Sequence, residues 1–596
     1  MLRPTFLGFE TQKRALFSAQ KNLDITGNNI SNIDTKGYTR QRVDLFSVEN
    51  QKGSLRYDTK VALAGQGVDM YGVTQIRDVL LDERYRTISG EANESTTKAD
   101  ILYNIEDIID DVEAANTGFS GIMSKFEKAL QDFSTENADR REMAAVAINA
   151  AKQIGNILQN FSNRINKVSD LTYTKTENAV DRVNQIFKQI SSLNKQIVDD
   201  YVASNQAFIN DSGKYQAHQE YGALELKDQR NLLLDELAEY GDVEVTTNLM
   251  GDITVKFGGK EVVSKAFFDV NGNKVGVDAD GNPVDPKAKA DYVYAQLSMF
   301  KPTSGTPEEK QPSNLKLYAS ELFTRNQWIS IASDPAKSDA VLGAQKDASG
   351  NVSNEIINVG TDNRNTTSEG LSRGTLKAYF DMYNGNGSFV SSAKYKGAAE
   401  NGYQGIPYYK EVMNSLAKTF ADKFNEANGY DSADPNTAHR QMFKYDPDDA
   451  AYTFAVSQAW KDNTMMVGMT TVQEGTDKEH QELDNENLHR LLGVFKTEFT
   501  YDSIPSGQKY TLEGYVRNYG ESIGEQTESE INAGTVATTI LSSIDSARDD
   551  IMGVSLDEEG INMMNYQKWY NAAARMMTTL DEALDTIINS MGIVGR

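Results

Sequence analysis

The stretch Asn28–Arg40, NNISNIDTKGYTR, interrupts a helical pattern that begins near the N-terminus. Asn28, Asn29 and Asn32 are poor helix-interior residues and good helix-end residues, because a short side-chain amide competes with the backbone for hydrogen bonds. Gly37 can take the left-handed conformation a C-terminal cap needs, and Tyr38 offers a rigid anchor with a polar tip. The run therefore ends one helix and redirects the chain. Upstream of it, Leu2, Phe9, Leu16, Leu23 and Ile30 recur every seventh residue, with Ala19, Thr26 and Ile33 in a second column three positions on. Such a narrow stripe, over about residues 5–32, belongs to a helix built to pack on another helix. Alone in water a helix of this kind is marginal.

The far end of the chain supplies the mate. Its final stretch carries three sevenfold columns: Met563, Tyr570, Met577, Leu584 and Met591; Tyr566, Ala573, Leu580 and Ile587; Trp569, Met576 and Ala583. This stripe is wide enough to face two neighbours. The simplest arrangement pairs the two terminal helices in coiled-coil fashion and leaves one C-terminal face over, so the ends of an isolated chain are expected to be either disordered or buried against other copies. The expected packing interface comprises Phe9, Leu16, Leu23, Asn28, Asn29, Ile30, Asn32, Gly37 and Tyr38 at one end. At the other end it comprises Tyr566, Trp569, Tyr570, Ala573, Met576, Met577, Leu580, Leu584 and Ile587. Within a packed ring, the asparagine amides are expected to set register as a buried seam asparagine does.

Between these ends lies room for several domains, since one hydrophobic core rarely grows past about 250–300 residues and the chain has 596. The fold class expected is α+β and multidomain: paired terminal helices, a bundle of long helices, and β-rich outer domains inserted between the helical arms. From Thr39 to about Gly90, short β-branched runs broken by glycine predict extended or hairpin structure. From Asn93 to Val202, apolar residues at three and four spacing without proline predict an antiparallel bundle. LELKDQRNLLLDELAEYGDVEVTT predicts a helix passing into a strand at Gly241. Glycine, proline and asparagine punctuate residues 242–527, with one helical island, YKEVMNSLAKTFADKFNEANGYDS, and helix is expected again from about Glu528. The expected division is 1–45 with 556–596 as an inner helical domain, 46–241 with 528–555 as the bundle, 242–400 as β-rich outer domains, and 401–527 as a mixed, β-rich domain.

A net charge of −26 lacks the basic face that a nucleic-acid binder or a partner of anionic membranes needs. With no cysteine, thiol catalysis, disulfides and thiolate metal sites are excluded. No apolar run approaches the roughly 20 residues that span a bilayer.

NNISNIDTKGYTRQ resembles the N-terminal signature of the axial proteins of the bacterial flagellum, and GVSLDEEGINMMNYQKWYNAAARMMTTLDEALDTIINSM is similar to their C-terminal partner segment. With LKDQRNLLLDEL and LAKTFADKFNEANGYDS, the resemblance is strongest to the hook-associated branch of that family. It implies a secreted, non-enzymatic structural subunit that forms a homo-oligomeric ring at the extracellular junction between hook and filament. Its implied partners are the hook protein, a second junction protein on the filament side, and a cytoplasmic export chaperone that holds the C-terminal helix before type III export. Neither nucleic acid nor membrane is implied as a partner, and no cofactor is. Two rival readings are a hook protein, which should lack the helical bundle, and a secreted adhesin or hydrolase working through its β-rich middle.

Chemical motifs are weak. Gly520-Glu521-Ser522-Ile523-Gly524 has the spacing of a hydrolase nucleophile elbow, but no histidine follows it in the chain, and it is read as a loop. His480 and His489 lack metal-ligand spacing, and the run Asp269–Asp285 lacks the terminal glutamate of a calcium loop, so Asn271-Gly272 and Asp280-Gly281 are read as hairpin turns. No catalytic, cofactor or metal residue is expected.

Overall fold

A computed structural model describes residues 5–48, 67–113, 118–134, 140–205, 223–248, 250–271, 273–277, 283–300, 315–333, 355–357, 370–387, 403–468, 485–501 and 508–586. Helix α1 (Thr5–Ser31) leads into a hairpin of β1 (Gln41–Ser47) and β2 (Val68–Gln75). The bundle follows as α2 (Val79–Glu113), α3 (Phe119–Phe133), α4 (Arg140–Asn205) and α5 (Leu224–Tyr240). Helix α2 starts well before Gly90, where extended chain was expected. The Gly, Ser and Thr content of its first turns lowers propensity, but packing against a second long helix overrides it.

Helix α4 runs 66 residues without a break, about 100 Å at the usual rise per residue. Its two halves serve different cores. The first half enters an aromatic core with α3, where Phe126 sits within 6.4 Å, ring to ring, of Phe420, Phe424, Phe443, Trp460 and Phe495. The second half lies against antiparallel sheet strands β3 (Val243–Thr247), β4 (Ile253–Phe257), β5 (Lys260–Phe268), β6 (Lys274–Val275), β7 (Lys289–Tyr294) and β10 (Phe323–Thr324), in the order β10-β7-β5-β4-β3 with β6 on β5. A smaller sheet, β8 (Leu297–Phe300), β9 (Lys316–Ala319) and β11 (Glu355–Ile357), stands beside it. Helix-borne amides tie α4 to both sheets. Asn184 Nδ2 donates to Leu297 O at 2.9 Å and Asn194 Nδ2 to Ile253 O at 2.8 Å, each side-chain oxygen accepting that residue's N–H in return. Short helices α6 (Arg325–Ala332) and α7 (Thr375–Asn384) complete this part.

The stretch 401–527 departs from its expected β-rich character. Among the described residues it holds α8 (Ile406–Ala427), α9 (Glu486–Val494) and short helical turns, with strand only at β12 (Phe443–Lys444) and β13 (Ala455–Val456). Its apolar residues belong to the aromatic core of the bundle. Helix α10 (Leu512–Met552) begins sixteen residues before the expected Glu528 and runs through Gly520–Gly524, so Ser522 is mid-helix and not in a loop. Leu512, Tyr515, Val516, Tyr519 and Ile523 are buried at helical spacing, and the Thr511 hydroxyl caps the helix by accepting the Gly514 N–H. Three glycines in that run mask the period. Helix α10 lies antiparallel on α2, with Gly524 near Glu106, Gly534 near Thr96 and Arg548 at Asp82.

Gly553 ends α10, and α11 (Leu556–Asp585) returns along α1, capped by the Ser555 hydroxyl. The terminal helices are thus formed and paired within a single chain. The pair is antiparallel: a Cβ on Gly8 would lie 3.5 Å from Leu580, while Arg40, beyond the other end of α1, meets Glu558 and Glu559. Among the described helices, none is long and apolar enough to cross a membrane.

Candidate assembly site at the paired termini

The opening stretch folds back on itself. Asn32 Nδ2 donates to Asn28 O at 3.0 Å and Ser31 Oγ to Gly27 O at 2.8 Å, closing the last turn of α1. Gly37 has φ +81°, the left-handed region in which a side chain would be strained. The chain then reverses so that the Tyr38 hydroxyl donates to Asn29 Oδ1 at 2.9 Å and accepts from Asn28 Nδ2 at 3.2 Å. Asn29 also pairs with the backbone of Gln41, accepting its N–H at 3.0 Å and donating to its carbonyl at 2.9 Å. The asparagine amides that the sequence assigns to contacts around a ring are therefore engaged within the chain.

From this clasp a polar joint reaches the bundle. Thr39 gives both its N–H and its hydroxyl to the carboxylate of Asp228 on α5, at 3.2 and 2.7 Å. Arg77, leaving β2, donates to the Thr39 hydroxyl and pairs with Asp82 at the start of α2. Two turns along α5, Asp235 accepts from Arg86 of α2 and from Arg548 of α10, both at 2.8 Å, and Arg548 also reaches Asp82 at 3.0 Å and stacks on Tyr85. Asp228 and Asp235 are seven residues apart and share one face of the helix. Burial pushes the Asp228 carboxyl up to about 6, against the opposing pull of the Thr39 hydrogen bonds and Arg77. Burial, and then the charges of Asp228, Glu225 and Glu559, raise the Tyr38 phenol.

Arg40 closes the joint toward α11. Its N–H donates to Met552 O, its carbonyl accepts from Ile76 N, and its guanidinium meets Glu559 Oε1 at 2.8 Å and Glu558 Oε2 at 2.7 Å. Neither Arg40, Glu559 nor Asp228 stands out by hydrophobic period. The signal that could have found them is the coincidence of single charges with the polar signatures at both ends.

Along the helix pair, the burial differs from the expected columns. In α1 the fully buried residues are Ser18, Ala19, Asn22, Thr26 and Asn29, while Phe9, Leu16, Leu23 and Ile30 are only partly covered and Phe17 is exposed. Two partners explain this. Gly8 faces α11, whereas Thr11 meets Gly67 and Arg14 pairs with Asp69 on the hairpin, so the small and polar residues between these faces are enclosed from both sides. In α11 only Glu559 and Ala573 are buried; Tyr566, Met577, Leu580 and Leu584 are half-buried on the same stripe. Trp569, Tyr570 and Met576 stay exposed, Trp569 at 56 % and Met576 at 50 %. Ile587 lies outside the described residues, as does His480. Among the described residues no group of three or more histidine, aspartate or glutamate side chains gathers as a metal site.

Comparisons with known proteins follow the same division. Residues 9–39 match the family described as flagella basal body rod protein, residues 102–292 the helical domain of flagellar hook-associated protein FlgK, and residues 551–591 the C-terminal part of flagellar basal body rod FlgEFG proteins. Flagellar hook-associated protein 1 of Bacillus subtilis is 25 % identical over 99 % of both chains, and that of Salmonella typhimurium is 22 % identical over 96 % of this chain and 98 % of its own. A solved structure, the flagellar hook junction protein FlgK from Burkholderia pseudomallei, overlays 78 % of this chain and 99 % of its own with a TM-score of 0.49 at 11 % identity. The chain thus carries rod-type segments at both ends and a segment like the hook-associated helical domain between them, and it is similar from end to end to proteins named flagellar hook-associated protein 1.

Proposed function

We propose that the chain is a non-enzymatic structural subunit of the extracellular bacterial flagellum, forming the junction between hook and filament and assembling as a ring through its terminal helices. The observation that carries this reading is the full-length match to proteins named flagellar hook-associated protein 1, joined to terminal helices that pair within the chain yet leave an apolar flank uncovered. That flank, with Trp569 and Met576, suits neighbouring copies of the chain. The hook protein and a second junction protein are its neighbours along the axis. Before export by the flagellar type III apparatus, a cytoplasmic chaperone holds the same C-terminal helix, whose methionines adapt to more than one partner. The inner domain is 1–45 with 556–596, and residues 242–400 form outer domains facing away from the axis.

The hook-protein reading loses ground because α2, α3 and α4 form the long-helix bundle it should lack. The hydrolase reading loses its nucleophile, since an elbow needs a sharp strand-to-helix turn and Ser522 lies inside α10. Deletion of residues 5–31 and 556–586 in a flagellated bacterium that depends on this protein is expected to abolish filament growth on completed hooks. Normal filaments would overturn the assembly reading. Deletion of 561–596 is expected to abolish chaperone capture, and retained capture would remove that partner.

A further inference from the structure

The most deeply buried side chain of α11 is a carboxylate. Glu559 is 2 % exposed, and the one other residue of α11 that is fully covered is Ala573. A carboxylate taken out of water without a partner is strongly disfavoured, and a seam this thin does not offset that cost. The partner present is Arg40, whose fork spans Glu559 and Glu558. Arg40 is itself held from both sides by the backbone bonds to Met552 and Ile76, so the guanidinium is delivered at a defined place on the joint.

We propose that Arg40 is the positioning residue that seats the C-terminal helix, so that α11 docks on α1 only when the N-terminal segment has folded through its Asn28–Gln41 clasp and presented that guanidinium. The two chain ends then close together and open together. The Glu558 contact adds little, because that side chain is 62 % exposed and such pairs are screened by water. The Glu559 contact carries the coupling, since removal of Arg40 strands a buried charge. A planar two-pronged donor fits two neighbouring carboxylates, whereas a lysine ammonium serves one. What the coupling is for rests on the assembly reading; the coupling itself does not.

Hydrogen exchange of the purified full-length chain tests it, read in peptides from 5–31 and 556–585. Wild type is expected to be protected in both. Arg40→Ala is expected to raise exchange in both helices by about tenfold or more while the bundle is unchanged. Adding Glu559→Gln to Arg40→Ala is expected to recover most of the lost protection, because no charge is left stranded; a merely structural loss of arginine packing would not be rescued this way. Glu558→Ala is expected to change exchange less than about twofold. The proposal is overturned if wild type shows no protection in either helix, if Arg40→Ala leaves α11 protected or loosens only one helix, if the bundle loosens as much as the helices, or if Glu559→Gln gives no rescue. Each of those results leaves the filament-growth test of the assembly reading untouched.

Discussion

Two antiparallel helix pairs frame this molecule, α2 with α10 and α1 with α11, and they are held by different means. Helix α10 buries Tyr515, Val516, Tyr519 and Ile523 in the aromatic core and continues along α2 with Ala537, Ile544 and Met552. Helix α11, 30 residues against the 41 of α10, fully buries only Glu559 and Ala573. In the first pair, apolar area removed from water supplies the stability, at about 25 cal/mol per Å². In the second pair, a joint of hydrogen bonds and charges at one end does the holding, and the apolar side chains that a core would have used stand on the outside. A region finished within its own chain and a region left for neighbours are told apart by where the large apolar residues point.

The comparison breaks most readily at the aromatic core. Phe126→Ala should destabilise the bundle by about 3–5 kcal/mol through the cavity it leaves, seen as a lower denaturant midpoint with an unchanged slope. A terminal-helix truncation should not move that midpoint comparably; if it does, the two regions are one cooperative unit. Next in size is the buried charge cluster where Lys98 of α2 contacts Glu94 at 2.6 Å and Asp381 of α7 at 2.9 Å, under the Tyr403 ring. Burial alone would lower the Lys98 pKa, but Asp381 and Glu94 raise it, so the ammonium stays charged. Lys98→Met leaves both acids to Lys377 and should cost about 2–3 kcal/mol in the same unfolding experiment.

At the joint, pH sharpens the contrast. Asp228 is ordinarily ionised near 3.8 and is raised to about 6 by burial, so the folded state holds its proton more tightly than the unfolded chain does. Its contribution is fully present below about pH 4 and is lost as pH rises through about 6, and the part lost between pH 5 and 7 is of order 1–2 kcal/mol. Hydrogen exchange at the joint, compared at pH 5 and 7, should therefore show tighter closure at pH 5, and Asp228→Asn should flatten that difference. The smallest expected effect is on the exposed flank. Trp569→Ala with Met576→Ala should change the thermal stability of the purified chain by less than about 0.5 kcal/mol while impairing filament growth. A large loss of stability instead would mean that this flank is part of the fold.

How much of this could be read from residues alone follows sequence separation. The partners in the clasp of Asn28, Asn29, Tyr38 and Gln41 are separated by thirteen positions or fewer, and turn chemistry within that distance leaves a local signature. The pairing of Thr39 with Asp228 crosses 189 positions and that of Arg40 with Glu559 crosses 519, and a single charge has no period to announce its partner. The β-rich expectation for 401–527 fails for a related reason. Gly514, Gly520 and Gly524 and the Asn and Asp content of that stretch read as turns, whereas burial of Tyr408, Phe420, Phe424 and Tyr515 in one core makes it helical. In α1 the sevenfold apolar column marks the helix correctly but not its most enclosed face, which is set by two partners at once.

Sequence by itself determined the helical ends, the long-helix bundle, the strand punctuation after Gly241 and the turn at Gly37, because period and backbone preference are properties of neighbouring residues. Tertiary structure alone decided that α4 serves two cores, that the polar face of α1 is the buried one, and that Arg40, Asp228 and Glu559 meet. Those outcomes depend on which desolvated groups find partners across the whole chain, and that accounting closes only when every element is in place.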